Sequence, residues 1–340
     1  MAQKVTENNS QKTVFGILGC GVSANFHASA LLKIDNAILK GAFDPNQNLC
    51  QEFTNKYGIT AYNSYEEMLE DGEIDAVCIC TPSFLHTKNA IDALNADKHA
   101  VIEKPMAVST ADADKIIDAC EKSGKQVAAI CQLRFSEDVK KIKQLLKENA
   151  FGKVSICSLS MNYYRTREYY SESGWRGSLS LDGGVLFNQG VHGIDIIEYI
   201  MGPIKKVCGK TATLSHNIEA PDTAVAIVEF ESGILGVIEA STCAYPGFDR
   251  RLKIQGDTGY VVLKESSIEK LMLDGKMIID GDNSEAIVDT ANDPTKLRCG
   301  LHKLQLKNFI AAINGTETLI SDCYEGKKAL TVIEKIYNIT

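Results

Sequence analysis

The sequence predicts an α/β protein in two parts: a doubly wound parallel sheet at the amino end, then an α+β domain with an open, mostly antiparallel sheet. Three observations carry this. From Thr13 short apolar runs alternate with helix-length amphipathic segments, in the order TVFGIL, ANFHASALL, AILKGAF and QNLCQEFTNKYG. Continuous apolar strands separated by helices belong to a parallel sheet covered on both faces. After Ile130 the rhythm changes to segments in which apolar and polar residues partly alternate, as in a sheet with one wet face. Finally, 340 residues suffice for two domains that each bury a core.

In order, the first part continues through AVCIC at Ala76 to Cys80, a helix from about His86 to Asn95, HAVIE, a helix from about Thr110 to Lys122, and QVAAIC. The second opens with a helix from about Ser136 to Asn149 and the strand KVSICSLSMNYY. VAIVEF, ILGVIEA, LKIQG, GYVVL and KMIID follow, mostly joined by short Gly- or Asp-bearing turns that suit antiparallel neighbours. The boundary falls between Gln132 and Glu137, which gives domains over 13–134 and 135–340, preceded by a polar tail over 1–12 read as disordered.

Composition excludes several classes. Hydrophobic residues at 44% and charged residues at 24% are those of an ordinary globular chain, neither fibrous nor disordered. A formal charge of -8 opposes nucleic acid and anionic membranes as partners, while a small anionic ligand remains compatible through a few local Arg residues. Eleven cysteines without any C-x-x-C pair read as free thiols in a reducing cytoplasm. The first twelve residues lack the apolar core of a secretion signal, and no stretch approaches the ~20 apolar residues of a membrane span.

The strand TVFGIL runs into Gly19-Cys20-Gly21-Val22-Ser23-Ala24 and then a helix, which is G-x-G-x-x-A in the strand, turn and helix setting of a Rossmann dinucleotide site. Gly19 permits the tight turn, Gly21 lets a pyrophosphate approach the backbone, and Ala24 allows close packing. An ordinary strand-to-helix turn is the plain alternative. Asp44 argues against it: it ends the next strand twenty residues after Ala24, where a carboxylate accepts both ribose hydroxyls and repels a 2′-phosphate. The expected cofactor is NAD, with NADP less favoured.

Four stretches together resemble the glucose-fructose oxidoreductase and inositol dehydrogenase (Gfo/Idh/MocA) family: GILGCGVSANFHASAL, TPSFLH at Thr81 to His86, EKP at Glu103 to Pro105, and GGVLFNQGVHGIDIIEYIMG at Gly183 to Gly202. The resemblance implies a Rossmann domain followed by an open-sheet domain, with nicotinamide and substrate meeting between them. It also implies oxidation of a hydroxyl on a sugar, cyclitol or sugar nucleotide. By position, Thr81 and His86 are expected to line the cofactor, and Glu103 to sit near the nicotinamide ribose.

Lys104 is the first catalytic candidate. It follows HAVIE at a strand's carboxyl end, where open α/β sheets bind ligands, and Pro105 restricts its backbone to an extended shape. A solvated surface lysine is the alternative. His192 is the second candidate. Gly183 to Gly202 reads as one helix with Asp182 as its N-cap, and Asn188, His192 and Asp195 then share a face at i, i+4 and i+7. Here the alternative is a structural histidine satisfied by Asp195. Many relatives carry an aspartate where this chain has Asn188, so Lys104 or Asp195 is expected to supply the missing base or charge. The Asn188-Gln189-Gly190 form is most similar to members acting on nucleotide-linked amino sugars. No metal is expected, since His216 and His302 stand in no recognisable ligand spacing.

Asn162-Tyr163-Tyr164-Arg165-Thr166-Arg167 and Gly174-Trp175-Arg176-Gly177 are expected to touch substrate, with Trp175 and Arg176 also reaching the cofactor; an exposed loop is the alternative. Arg250 and Arg251 read as surface residues. The leading function is an NAD-dependent dehydrogenase of a carbohydrate hydroxyl. A glycosidase or epimerase without net redox change, and a non-catalytic NAD-binding regulator, are the alternatives; the first forms product without accumulating NADH, the second needs neither Lys104 nor His192. The uncovered sheet face predicts a homodimer or homotetramer.

Overall fold

The structure is a computed structural model that describes residues 12–281 and 300–338. Apart from Lys12, the expected tail lies outside these residues.

The first sheet has six parallel strands: β1 (Thr13–Leu18), β2 (Ala37–Phe43), β3 (Thr60–Ala61), β4 (Ala76–Ile79), β5 (His99–Ile102) and β6 (Val127–Ala129). Their spatial order is β3-β2-β1-β4-β5-β6, so the direction of progression reverses between β1 and β4, and the turns leaving those two strands flank a crevice. Helices α1 (Val22–Leu31), α2 (Gln47–Tyr57), α3 (Tyr65–Glu70), α4 (His86–Asn95) and α5 (Thr110–Ser123) cover the sheet. Asn46, Ser64 and Ser109 cap α2, α3 and α5 by accepting the N–H groups of Leu49, Glu67 and Asp112.

The second part comprises α6 (Glu137–Lys147), β7 (Val154–Asn162), α7 (Arg167–Ser171), α8 (Val191–Met201), β8 (Ile204–Ala212), β9 (Thr223–Phe230) and β10 (Leu235–Ser241), then β11 (Arg251–Gly256), β12 (Tyr260–Lys264), β13 (Ser267–Leu273) and β14 (Lys276–Asp280). The sheet order is β14-β13-β12-β11-β7-β10-β9-β8, antiparallel throughout except for the β7 and β10 pair. Alternation decides its two faces. On β9 Ala224, Ala226, Val228 and Phe230 are buried, whereas Val225 and Ile227 point outward and join exposed Ile156, Leu235 and Val237.

Two elements differ from the sequence reading. The chain closes with α9 (Gly300–Ile313) and α10 (Cys323–Tyr337), which strand patterning alone did not reveal. A division at residue 134 assigns α9 to the second sheet. Instead Leu306, Phe309 and Ile310 pack with Phe15, Ile17, Ala24 and Ala28 and close one face of the first sheet. Their spacing is the helical apolar stripe that demands such a surface. Helix α10 packs against α5 and β6 on one side and α8 and β8 on the other, so the C-terminal helices tie the two sheets together.

The expected helix over Gly183 to Gly202 is also shorter. α8 begins at Val191, after a wide helical turn over Val185–Gly190. Gly183 and Gly184 take φ values of 73° and 75°, and a Cβ on Gly184 would lie 2.6 Å from the carbonyl oxygen of Pro221. Such a backbone interrupts the helix, and Asp182 is therefore not its N-cap.

His99 on β5 accepts the Gln126 N–H at Nδ1 (2.8 Å). Burial, helped by Lys125, pushes this imidazole down to about 4. The unfolded chain takes up its proton near pH 6.5, so the site's contribution is complete above that pH and is lost as pH falls toward 4. Going from pH 7 to pH 5 should cost about 1–2 kcal/mol here. Urea midpoints of His99→Gln should fall less steeply over this range than wild type; equal slopes refute the assignment.

Candidate active site

At the β1 turn Gly19 has φ 87°, and a Cβ there would press within 2.8 Å of the Cys80 carbonyl oxygen. A Cβ on Gly21 meets nothing within 4 Å, which leaves open space against the backbone. Helix α1 starts immediately after, with Val22, Ser23 and Ala24 in its first turn, no side chain capping it, and Ala24 buried beneath. Uncapped N–H groups around an open glycine form an anion cradle. Asp44 stands beside it, accepting Cys20 N–H at Oδ2 and Asn46 N–H at Oδ1, each at 2.8 Å. The cradle and the positioned carboxylate fit a dinucleotide.

Across the crevice, Thr81 follows β4. Its carbonyl faces His86 Nε2 at 2.9 Å, and the other ring nitrogen of His86 faces the Pro105 carbonyl at 2.8 Å. His86 is 1% exposed. It thus staples the turn after β4 to the turn after β5. Burial holds this imidazole below its ordinary range, against the pull of both carbonyls.

Glu103 and Lys104 leave the end of β5. Glu103 accepts its neighbour's N–H at Oε2, while its Oε1 lies 2.8 Å from His27 Nε2. Burial opposes ionisation of this carboxyl, but the His27 hydrogen bond and the charges of His27, His302 and Lys104 outweigh it and hold Glu103 below the usual carboxylate range. Lys104 Nζ donates to the Asn188 carbonyl at 2.7 Å, so the lysine reaches from the first sheet to the turn preceding α8. Burial depresses the Lys104 ammonium; Arg165 and Arg176 push the same way, while Glu103 and Asp182 oppose them.

His192 lies in the first turn of α8, with the Gln132 side-chain nitrogen 3.4 Å from its Nε2. Burial, then the charges of Lys104 and Arg250, hold the imidazole well below 6.5, so it is neutral at pH 7. Asp195 does not serve it. Both Asp195 oxygens receive the Arg134 guanidinium, from Nε at 3.0 and 3.1 Å and from Nη2, and no hydrogen bond joins Asp195 to His192 among the described residues. Although one turn of helix keeps the two residues on one face, the Arg134 guanidinium occupies the carboxylate, so Asp195 is not the partner of His192 that the spacing suggested. Asn188 donates to Asp182 Oδ1, and Asp182 Oδ2 accepts the Gly177 N–H at 2.9 Å.

Around this centre Arg165 bonds Gln189 Oε1 at 2.9 Å, and Arg176 stacks over Tyr169 and Trp175. Arg250, expected at the surface, is buried and paired with Glu265 at 2.8 Å; its backbone alternates inward beside Tyr163, whereas Arg251 stays half exposed.

The sequence matches two family descriptions: "Oxidoreductase family, NAD-binding Rossmann fold" over residues 13–130 and "GFO/IDH/MocA C-terminal domain" over residues 139–262. The chain belongs to the Gfo/Idh/MocA oxidoreductases. Myo-inositol 2-dehydrogenase of Thermotoga maritima is 28% identical over 260 residues, 72% of this chain and 73% of that one. Glucose-6-phosphate 3-dehydrogenase of Bacillus subtilis is 24% identical over 344 residues, 95% of each chain. The structure of WlbA dehydrogenase from Bordetella pertussis, in complex with NADH and UDP-GlcNAcA, superposes with a TM-score of 0.85 at 28% identity, covering 97% of this chain and 96% of that one.

In this Gfo/Idh/MocA oxidoreductase Lys104 bonds the backbone of Asn188, one helical turn before His192, while Arg134 occupies Asp195 and two backbone carbonyls occupy His86. Sequence reasoning missed Gln132, Arg134, Asp182, Gln189 and Arg250 as parts of the site. Only the Asp182-Gly183-Gly184 run signalled a special backbone. Asp44→Ser should shift the ratio of kcat/KM values for NAD and NADP by at least about 10-fold toward NADP, equal to ~1.4 kcal/mol; an unchanged ratio removes Asp44 from cofactor selection.

Proposed function

We propose that the substrate is a negatively charged sugar, a nucleoside-diphosphate-linked sugar acid first of all, oxidised at a secondary hydroxyl between Lys104 and His192. The observation that carries this reading is a pair of buried polar atoms without hydrogen-bond partners, Arg176 Nε and Gln132 Oε1, beside the basic cluster of Lys104, Arg165 and Arg176. Buried polar atoms demand partners, and a ligand bearing a carboxylate or phosphate beside a hydroxyl supplies both kinds. The similarity to WlbA, which binds UDP-GlcNAcA, supports the same class.

NAD, when bound, would supply the hydride acceptor, and the protein contributes position and charge. Gly19, Gly21, Val22, Ser23, Ala24 and Asp44 would hold the dinucleotide, with Thr81, Glu103, Trp175 and Arg176 completing its surroundings. His192 takes the hydroxyl proton, because its burial among cations leaves the imidazole unprotonated. Lys104 donates to the same oxygen and stabilises its developing negative charge. Asp182 supplies the carboxylate that position 188 lacks: it holds the Asn188 amide and opposes the depression of Lys104.

The exposed apolar row of Ile156, Val225, Ile227, Leu235 and Val237 supports assembly into a homodimer or homotetramer through the open sheet face. No helix among the described residues is long and apolar enough to cross a membrane. The described free cysteines, mostly buried, support a reducing compartment, the cytoplasm.

Lys104→Ala and His192→Ala should each lower kcat by ~100- to 10,000-fold with nearly unchanged NAD affinity. Wild-type kcat/KM should rise with pH through a limb below 6.5, where His192 loses its proton, and fall through a limb below 10.5, where Lys104 does. A variant that turns over like wild type ends that residue's role, and a screen in which neutral polyols outperform UDP-linked sugar acids overturns the substrate class. Ile227→Lys should give monomers by size-exclusion chromatography with light scattering; an unchanged mass excludes this face.

A further inference from the structure

His216, Asp222 and Cys243 stand in no recognisable ligand spacing, yet the fold brings one ligand atom of each within 4.8 Å of the others. His216 and Asp222 lie on the segment joining β8 to β9, and Cys243 follows β10. His216 Nδ1 is 3.3 Å from Asp222 Oδ2 and 3.3 Å from Cys243 Sγ. The other ring nitrogen, Nε2, lies 3.0 Å from the Arg165 carbonyl oxygen and donates to it. That bond fixes the tautomer and leaves the Nδ1 lone pair aimed at the carboxylate and the sulfur.

A catalytic cysteine triad has a different layout. There the thiol meets one ring nitrogen and the carboxylate orients the other, whereas here both meet Nδ1. Donation of the remote N–H to a backbone carbonyl is the outer-shell bond of a metal-ligating histidine. The spacing agrees as well. Zinc bonds of about 2.0–2.3 Å at tetrahedral angles put adjacent ligand atoms about 3.3–3.7 Å apart. Charge favours the same occupant: the Asp222 carboxylate is wholly buried, and its one ion-pair partner among the described residues is His216. Backbone N–H groups of Leu214, Ser215 and His216 hold Asp222 in place.

We propose that His216 Nδ1, Asp222 Oδ2 and Cys243 Sγ form a binding site for one divalent cation of the zinc type, with a fourth position open to water. Binding replaces the thiol proton, which passes to the buffer, so that the thiolate and carboxylate together neutralise the ion. The ion joins the β8–β9 segment to the end of β10 and, through the Arg165 carbonyl, to the loop that carries Arg165 and Arg176. It thereby steadies the substrate side of the cleft without touching the reacting atoms.

Co2+ is the probe. Titrated into the reduced full-length protein, it should bind one per chain with a thiolate-to-cobalt absorption band and tetrahedral d–d bands. Cys243→Ser should abolish the thiolate band and weaken binding at least about 10-fold, whereas Cys208→Ser, at the exposed cysteine, should change neither. A second measurement needs no variant: Zn2+ should slow alkylation of Cys243 by iodoacetamide at least about 10-fold, read by peptide mass spectrometry, with Cys208 unaffected. No thiolate band, a band that survives Cys243→Ser, or equal alkylation of Cys243 with and without Zn2+ each overturns the site.

Discussion

One buried ion pair governs the geometry of this protein. Arg134, just beyond the last strand of the first sheet, grips Asp195 in the helix of the second part with a bidentate guanidinium, and reaches Glu325 on the final helix at 2.8 Å. Both partners of the central pair are almost completely buried. Such a pair returns little net stability, because desolvation offsets attraction, but it tolerates only one mutual orientation. Three segments from distant parts of the chain are thereby locked in register, and with them the turn before His192 that receives Lys104.

The site's electrostatics follow from that closure. Lys104 and His192 are held in one water-poor space, where each cation raises the cost of a second. The histidine therefore yields and stays neutral, while the lysine retains help from Glu103 and Asp182. Shared burial thus sets an unprotonated imidazole near a lysine, with no carboxylate hydrogen-bonded to that imidazole among the described residues. Asp195, which helical spacing put on the same face, is occupied elsewhere. Asp182 accepts the Asn188 amide, brought there by two glycines that no regular helix accommodates.

Much of this was legible in the chain. The glycine turn, Asp44 and the strand-end position of Lys104 are local features: each depends on a strand, its next turn and the following helix, within about twenty-five residues. The open second sheet was legible too, because alternation in β9 records which face is wet. The two C-terminal helices were less so. Their apolar spacing predicts a helix but not its host, and α9 finds the first sheet through contacts such as Phe309 against Phe15, almost three hundred residues away in sequence.

What the sequence by itself determined is therefore the class of fold, the glycine turn of the dinucleotide cradle and the position of Lys104 at a strand end, since backbone propensity, periodicity and short-range turns encode these. Tertiary structure alone decided which charges meet. Arg134 chose Asp195, Asn188 received Asp182, Arg250 went inward, and His216 met Asp222 and Cys243, all through contacts between separate elements. Ion pairing depends on distance in space and on exclusion of water, and neither quantity is written in the order of residues along a chain.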